Sequence, residues 1–384
     1  MVSAVKVFKK TSPNGKVTAY LSRRDFVDHI THTAPVDGVV VVEDEYLRGR
    51  RIFARVAVAY RYGRPEDEVM GLNFFKEFEL VNNEVALQRS DSDLSDIQKR
   101  LLSNFGASAH PFSVILPQQA PCSVFLDNGN DDTSQPMGVT YELRLYVSEK
   151  KEERPHKRNS VNFAVRRVQF APLEIASRRP HTLVSRGFTL SSGRLNLELS
   201  LGREIYNHGQ PIEAHISVNN GSKKTVKSIM VEVIQHVEVT MISCQFNRVV
   251  ASLESKEGCP ITPGNNFTKT YIVTPLVSTN KRRYGIAFEG HTKDQDVNLA
   301  SSTLVPMGKP ANDALGIIVS YSVKVKLSCG AIGGELSADL PFKLMHPNPA
   351  AHKFPLRKSR SIDKIEFEEF ARLRRSFSMA DDQN

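Results

Sequence analysis

Short apolar and β-branched segments recur along most of this chain, and turn residues separate them. Many short strands joined by regular turns are typical of antiparallel β-sandwich domains. The sequence therefore predicts an all-β protein. The clearest predicted strands are Val5–Phe8, Ile52–Tyr60, Val139–Val147, Ser160–Phe170, Ile229–Thr240 and Gly316–Leu327.

One segment departs from the strand pattern. Ile97, Leu101 and Phe105 follow one another at intervals of four residues, which places them on one stripe of a helix. Serines between 90 and 95 can cap the start of this helix, and Gly106 suits its end. We predict one short helix whose apolar stripe packs on a sheet.

The length of 384 residues predicts two or three domains, because a domain usually has about 100–200 residues. Prolines and paired arginines interrupt the strand pattern at 171–181, and a proline-rich, basic segment begins after Leu344. We predict an N-terminal β-sandwich over 1–173, a hinge over 174–181, a C-terminal β-sandwich over 182–345 and a flexible tail over 346–384.

Charge and cysteine content narrow the class of protein. The chain has 51 basic and 42 acidic residues, and its net charge of +9 favours nucleic acid, phosphates or an acidic membrane surface as partners. The charged first ten residues do not resemble a signal peptide, and no apolar stretch is long enough to predict a bilayer span. Four scattered cysteines predict a reduced, cytosolic protein without a metal site.

Motifs of catalysis are missing from the sequence. It contains no GxSxG, GxGxxG, P-loop or HExxH pattern, so we expect no catalytic residues and no cofactor. It also contains no nucleic-acid recognition motif, and the absence of tryptophan removes one common base-stacking residue. We therefore expect an anionic partner other than nucleic acid.

Charged residues also interrupt apolar segments. Arg166 shares one face of a predicted strand with Ala164 and Val168, so its guanidinium must either reach solvent or meet acids. Three acidic residues stand in other apolar segments, where the sequence pattern alone indicates surface charge; they are Asp25, Glu289 and Asp296.

The order of several motifs over about 1–372 resembles the arrestin family, and within it the invertebrate visual (sensory) arrestins. The matching motifs are VFKKTSPNGK at 7–16, RDFVDH at 24–29, PVDG at 35–38, YGR at 62–64, HKRNS at 156–160, NLASST at 298–303, GIIVSY at 316–321 and FEEFAR at 367–372. The resemblance implies two antiparallel, immunoglobulin-like β-sandwich domains, one short helix on the N-domain and an extended C-terminal tail that docks on the N-domain near 365–372.

The resemblance also implies a function. An arrestin of this type is a non-catalytic regulator that binds a light- or agonist-activated, phosphorylated G-protein-coupled receptor and blocks its coupling to G protein. The expected receptor is rhodopsin. It would be cytoplasmic and recruited to the receptor-bearing membrane of a photoreceptor or other sensory cell. An arrestin-fold trafficking scaffold without phosphate sensing is the alternative, and the charged residues described next favour the regulator.

Carried over by position, the resemblance implies a buried ion network between the domains, in which Glu289 stands where the family usually has Asp. A receptor phosphate would compete for Arg166, unpair the acids and loosen the domains. The network would consist of Asp25, Arg166, Glu289, Asp296 and Arg372. The phosphate-binding residues would be Lys9, Lys10, Arg24, Lys157, Arg166 and Lys293.

Three further sites are implied in the same way. The receptor finger loop would use Glu66, Asp67, Glu68, Val69, Met70, Gly71 and Leu72. An apolar lock would join the first strand, the helix and the tail through Val7, Phe8, Ile97, Leu101, Phe105, Phe367 and Phe370. A clathrin-adaptor motif would consist of Phe367, Phe370 and Arg374.

The tail suggests other contacts. Arg375 lies three residues before Ser378, so Ser378 is a candidate site for a basophilic kinase. No clathrin box of the Leu-Ile-Glu-Leu type lies between Met345 and Phe370, so the sequence does not support direct clathrin binding. By resemblance, inositol polyphosphates and phosphoinositides are expected ligands of the basic surfaces.

Overall fold

A computed structural model gives the fold over residues 4–63, 74–86, 94–131, 135–153, 156–172, 179–188, 192–289, 297–304, 316–330, 333–348 and 364–369. The chain divides into two units. The first comprises Met1–Ser123, Thr133–Gln169 and His352–Asn384, and the second comprises Val124–Asp132 and Phe170–Ala351. Most of the hinge predicted over 174–181 lies outside the described residues, and the predicted boundaries stay predictions.

The first unit contains two sheets. In spatial order, one sheet consists of β22 (Lys364–Glu369), β1 (Ala4–Thr11), β2 (Val17–Leu21), β4 (Val36–Val42) and β7 (Ala109–Val114). The other consists of β6 (Phe75–Glu84), β5 (Arg51–Arg61), β9 (Gly138–Ser148), β10 (Ser160–Gln169) and β3 (Asp25–Asp28). Two of these pairings are parallel, β1 with β22 and β10 with β3, and the others are antiparallel.

The second unit is also built from sheets. One consists of β11 (His181–Gly187), β12 (Arg194–Leu201), β14 (Ile212–Asn220) and β17 (Asn266–Val273). Another consists of β13 (Ile205–Asn207), β21 (Glu335–Met345), β20 (Ile317–Ser328), β15 (Ser228–Val239) and β16 (Cys244–Ser255). Three further short strands of the second unit pair antiparallel with one another in the order β19 (Asn298–Leu299), β18 (Ala287–Glu289) and β8 (Val124–Leu126).

Buried and accessible side chains alternate along the strands, which explains why the sheets of each unit pack face to face. Along β14, Ile212, Ala214, Ile216 and Val218 are almost completely buried, whereas the residues between them are more accessible. Successive residues of a strand point to opposite faces, so each such strand supplies one apolar face to a core. The predicted all-β fold with two β-sandwich domains is confirmed.

The predicted helix is confirmed as α2 (Asp96–Phe105), which follows the single-turn helix α1 (Asp44–Leu47). Ser95 and Gln98 form a capping box at its start, and Gly106 ends it at φ 63°. The buried Gln98 side chain donates to the carbonyl oxygens of Gly38 and Phe112, at 3.0 and 2.9 Å. These bonds fix α2 on β4 and β7. None of the described helices has the length and apolarity that a membrane crossing requires.

The core of the first unit holds an unusual polar residue, His110 on β7. Neither ring nitrogen has a hydrogen-bond partner among the described residues. Burial lowers the pKa of His110 below 6.5, and the charge of Asp44 opposes this shift only in part. The folded protein therefore holds His110 as the neutral imidazole.

We expect His110 to make the protein sensitive to acid. The unfolded chain takes up a proton at about pH 6.5 that the folded chain accepts only at lower pH, so the free energy of unfolding falls as pH decreases below about 6.5. His110→Leu should reduce this loss of stability between about pH 6.5 and 5. Urea unfolding across this pH range measures it, with His181→Leu at an exposed position of β11 as the control. Equal pH dependence of wild type and His110→Leu would contradict the expectation.

Candidate functional site

The parallel pair β3 and β10 places Arg166 opposite Asp25. The Arg166 guanidinium donates two hydrogen bonds to the Asp25 carboxylate, from Nε to Oδ1 at 2.8 Å and from Nη2 to Oδ2 at 2.9 Å. The side chains remain 18% and 35% exposed. The structure thus brings together these two residues of the predicted network in a bidentate ion pair that solvent can still reach.

A second ion pair lies on the opposite face of the same two strands. Arg167 donates from Nη2 to Asp28 Oδ2 at 2.7 Å and to the Gln118 carbonyl oxygen at 2.9 Å. Gln169 Nε2 donates to the same Asp28 oxygen at 2.7 Å. Both charged side chains are only 5% exposed, so this pair is buried far more deeply than the pair on the other face.

The sequence analysis did not identify the Arg167–Asp28 pair. The signal that was available is the alternation of strand residues, which sends Arg166 and Arg167 to opposite faces. Each arginine then needs a carboxylate on its own face. Asp25 and Asp28 are three residues apart in β3, so they point to opposite faces and can pair with one arginine each.

In the second unit, Glu289 is buried at the end of β18. Its Oε1 accepts a hydrogen bond from the Ser301 backbone N–H at 2.6 Å, and its Oε2 accepts one from His346 Nε2. Burial alone would raise the pKa of Glu289, but the hydrogen bond and charge of His346, with His208 and Ser301, hold this pKa below its ordinary value. Glu289 is therefore an ionised carboxylate.

A second imidazole adjoins this pair. The His208 and His346 ring centroids are 4.7 Å apart, and His208 Nε2 is 3.1 Å from Ser301 Oγ. Burial lowers the pKa of His208 to about 4, which makes it neutral at physiological pH. The sequence analysis missed both histidines, since each lies in a turn segment before a proline and they share no ligand spacing.

A buried amide holds β18 in place beneath Glu289. Gln235 Nε2 donates to the Ala287 carbonyl oxygen at 2.9 Å, and Gln235 Oε1 accepts from the Ala287 N–H at 2.8 Å. The same nitrogen is 2.7 Å from the Tyr321 hydroxyl, which donates to the Ala300 carbonyl oxygen at 2.5 Å. These bonds fix the backbone on both sides of the carboxylate.

The first unit contains an apolar cluster where the lock is predicted. Val7, Tyr20, Val39, Leu101 and Ala109 form its buried centre. Five partly buried residues pack against this centre, and they are Val41, Ile97, Leu102, Phe105 and Ile365. The structure therefore brings the helix stripe, the first strand and the tail strand together in one cluster.

Phe8, another predicted member of the lock, is placed apart from these residues. Phe8 follows Val7 directly in β1 and lies outside the cluster, because adjacent strand residues point to opposite faces. The Arg24 guanidinium carbon lies 5.0 Å from the centre of the Phe8 ring instead. Arg24 is thereby engaged in a cation–π contact.

The tail strand β22 lies parallel to β1, with Phe367 opposite Val7. The Phe367 ring packs edge-on against Tyr20, at 5.3 Å between ring centroids, and remains 45% exposed. Beside it, Lys6 Nζ and Glu368 Oε2 form an exposed ion pair at 3.8 Å. The tail is attached by backbone pairing, by the partly buried Ile365, by the half-buried Phe367 ring and by exposed charges.

The predicted phosphate-binding residues occupy several positions. Lys9 and Lys10 lie on β1, and Lys10 Nζ donates to the Asn162 carbonyl oxygen and lies 6.0 Å from the Phe163 ring centre. Lys157 is exposed at the start of a short 3₁₀ turn. The remaining predicted site residues lie outside the described residues: Asp296, Arg372, Lys293, Phe370, Arg374, Ser378 and the finger-loop residues 66–72.

Two β-sandwich units with a tail strand on the first sheet define an all-β protein. The family description "Arrestin (or S-antigen), N-terminal domain" matches residues 17–170, and "Arrestin (or S-antigen), C-terminal domain" matches 191–349. The chain belongs to the arrestin family.

Curated relatives match the chain over nearly its whole length. "Arrestin homolog" of Locusta migratoria is 51% identical and covers 97% of both chains. "Phosrestin-1" of Drosophila miranda is 48% identical over 99% of this chain and 100% of its own. "Arrestin, lateral eye" of Limulus polyphemus is 48% identical over 98% of this chain and 97% of its own. The predicted resemblance to invertebrate visual arrestins is confirmed.

We expect the two ion pairs of β3 and β10 to differ in their effect on stability. Asp28→Asn leaves the Arg167 charge buried without its carboxylate, which should lower the free energy of unfolding by about 3–5 kcal/mol. Asp25→Asn leaves an accessible guanidinium and should cost about 1 kcal/mol or less. Urea unfolding of the two isosteric variants makes the comparison. Equal losses would show that burial does not separate the two pairs.

Proposed function

We propose that this chain binds a light-activated, phosphorylated opsin and blocks its coupling to G protein. The proposal rests on membership of the arrestin family and on a relative whose name places it in the lateral eye. Its role is regulation without catalysis, in the cytoplasm of a photoreceptor or other sensory cell. The observation that carries the proposed phosphate sensing is the accessible, bidentate Arg166–Asp25 pair.

A phosphorylated residue can compete for Arg166. It carries about −1.5 to −2 charges and three acceptor oxygens, whereas Asp25 carries one negative charge. The planar guanidinium binds phosphate with the same two-pronged geometry that it uses for Asp25. Because Arg166 is 18% exposed, a phosphate has access to it without unfolding of the strand. Binding would break the ion pair and turn receptor phosphorylation into a conformational signal.

The tail strand is held weakly enough to respond to the same ligand. β22 carries several glutamates and lies along the lysines of β1, with Glu368 opposite Phe8 and close to Lys6. An exposed ion pair contributes about 0–1 kcal/mol, and a half-buried Phe367 contributes less than the 1.5–3 kcal/mol of a fully buried ring. Phosphates arriving at β1 would compete with these glutamates and release the tail.

The finer roles carried over from the family belong to this proposal. Glu289, Asp296 and Arg372 would complete the ion network, and the finger loop at 66–72 would enter the cytoplasmic crevice of the receptor. The released tail would present Phe367, Phe370 and Arg374 to the clathrin adaptor. Inositol polyphosphates and phosphoinositides would bind the basic surfaces, and no cofactor is required.

We expect Arg166→Glu to weaken the requirement for receptor phosphorylation. The substitution removes the ion pair that phosphate would otherwise have to break, so active unphosphorylated receptor should be bound nearly as well as phosphorylated receptor. Pull-down with light-activated rhodopsin, with and without phosphorylation, measures the ratio.

The charge-exchanged variant Asp25→Arg/Arg166→Asp is the matched control, because it keeps both charges on the same strands. It should recover much of the preference for phosphorylated receptor. An unchanged preference in Arg166→Glu would count against phosphate sensing and would favour the trafficking-scaffold alternative.

Release of the tail predicts a local change in hydrogen exchange. A multiply phosphorylated receptor-tail peptide should decrease the protection of the amides of Lys364–Glu369, because β22 loses its pairing with β1. The unphosphorylated peptide is the control and should leave these amides protected. Protection that is the same with both peptides would contradict release.

Recruitment of the clathrin adaptor predicts that a substitution in the tail motif reduces adaptor binding. A tail peptide should bind the clathrin adaptor, and Phe370→Ala should remove most of this binding because it deletes an apolar anchor. Met379→Ala in the same peptide serves as the control. Equal retention of both variants on immobilised adaptor would exclude the motif.

A further inference from the structure

Three polar side chains converge inside the second unit, and they come from distant parts of the chain. His208 follows β13, Glu289 ends β18 and His346 follows β21. One ligand atom of each lies within 4.8 Å of those of the other two. Glu289 is buried and both histidines are partly buried. Two imidazoles and one carboxylate form the donor set of many zinc sites, which have nitrogen and oxygen ligands at about 2.0–2.2 Å.

Backbone contacts hold these donors in place without the help of a metal ion. The His208 N–H donates to the Met345 carbonyl oxygen at 3.2 Å, so the two histidine segments are bonded directly. The His346 carbonyl oxygen accepts from the Ala171 N–H at 2.9 Å. Fixed ligand segments of this kind reduce the rearrangement that metal binding requires.

Ser301 connects the remaining donors. Its N–H is bonded to Glu289 Oε1 at 2.6 Å, and its Oγ is 3.1 Å from His208 Nε2. Glu289 Oε2 is thereby left to face His346 Nε2, with which it is hydrogen-bonded. Ser301 acts as an outer partner that orients a carboxylate and an imidazole toward the same point.

We propose that His208, Glu289 and His346 form a binding site for one Zn²⁺ ion in the second unit. The ion would take the place of the hydrogen bond between Glu289 and His346, and the His208 imidazole would be its third protein ligand. A water molecule would complete the tetrahedron. Imidazole nitrogens favour Zn²⁺ over Mg²⁺ or Ca²⁺, which prefer all-oxygen sites.

Such an ion would join β13, β18 and β21 at one point and would neutralise the Glu289 carboxylate inside its own unit. Glu289 is also a member of the proposed ion network, and zinc binding would take its carboxylate out of that network while leaving the Arg166–Asp25 pair in place. The competing explanation is that Glu289 and His346 form an ion pair only, with His208 packed beside it. The two explanations differ in whether the chain binds zinc with a defined stoichiometry.

The test uses the full chain after removal of metals with a chelator. Isothermal titration with Zn²⁺ should give one site per chain, and zinc should raise the melting temperature. His208→Asn/His346→Asn should weaken binding by about 100-fold or more, and Glu289→Gln by about tenfold. His215→Asn, which removes a histidine of β14 that bonds Thr270, is the matched control and should bind zinc as wild type does.

Circular dichroism shows whether the double variant folds. A second measurement, on the wild type, tests the site without relying on that variant. X-ray absorption of the zinc-loaded chain should show two imidazoles and oxygen ligands. Ligation by sulfur would assign the zinc to the free cysteines and overturn the proposal. The absence of a saturable site, or unchanged affinity in the folded double variant, would overturn it equally.

Discussion

The parallel ladder between β3 and β10 is the constraint on which the charged centre of the first unit depends. It sets Arg166 against Asp25 on one face and places Arg167 and Asp28 on the other. The same two strands therefore carry one ion pair that is partly exposed to solvent and one that is buried. The buried pair has further hydrogen bonds with Gln118 and Gln169 and ties the strands together, whereas the Arg166–Asp25 pair remains partly accessible to solvent.

Glu289 shows how a buried carboxylate can be satisfied by partners within its own unit. The resemblance implies an Asp at this position, and the glutamate carboxylate is satisfied within its own unit by His346 and Ser301. Gln235 and Tyr321 hold the adjacent backbone, so the carboxylate has little freedom to turn away. A buried carboxylate needs such partners because desolvation would otherwise favour its neutral form.

Local patterns predicted the elements of this fold better than the contacts between them. The spacing of Ile97, Leu101 and Phe105 predicted α2, because a helix repeats every 3.6 residues. Strand alternation predicted which faces are buried. It also implies that Val7 and Phe8, as adjacent strand residues, point to opposite faces and do not enter the same cluster. The pairing of Arg166 with Asp25 came from family resemblance. The convergence of His208 and His346 depends on tertiary folding of turn segments, for which a single sequence carries no periodic signal.

The position of β22 has one more consequence. It is an edge strand of its sheet, and its parallel pairing covers the backbone donors and acceptors of β1. Departure of the tail would uncover that row of unpaired amides and carbonyls, which is a template for any other extended peptide. While β22 is paired, it occupies this edge of β1, and no other extended peptide can pair there.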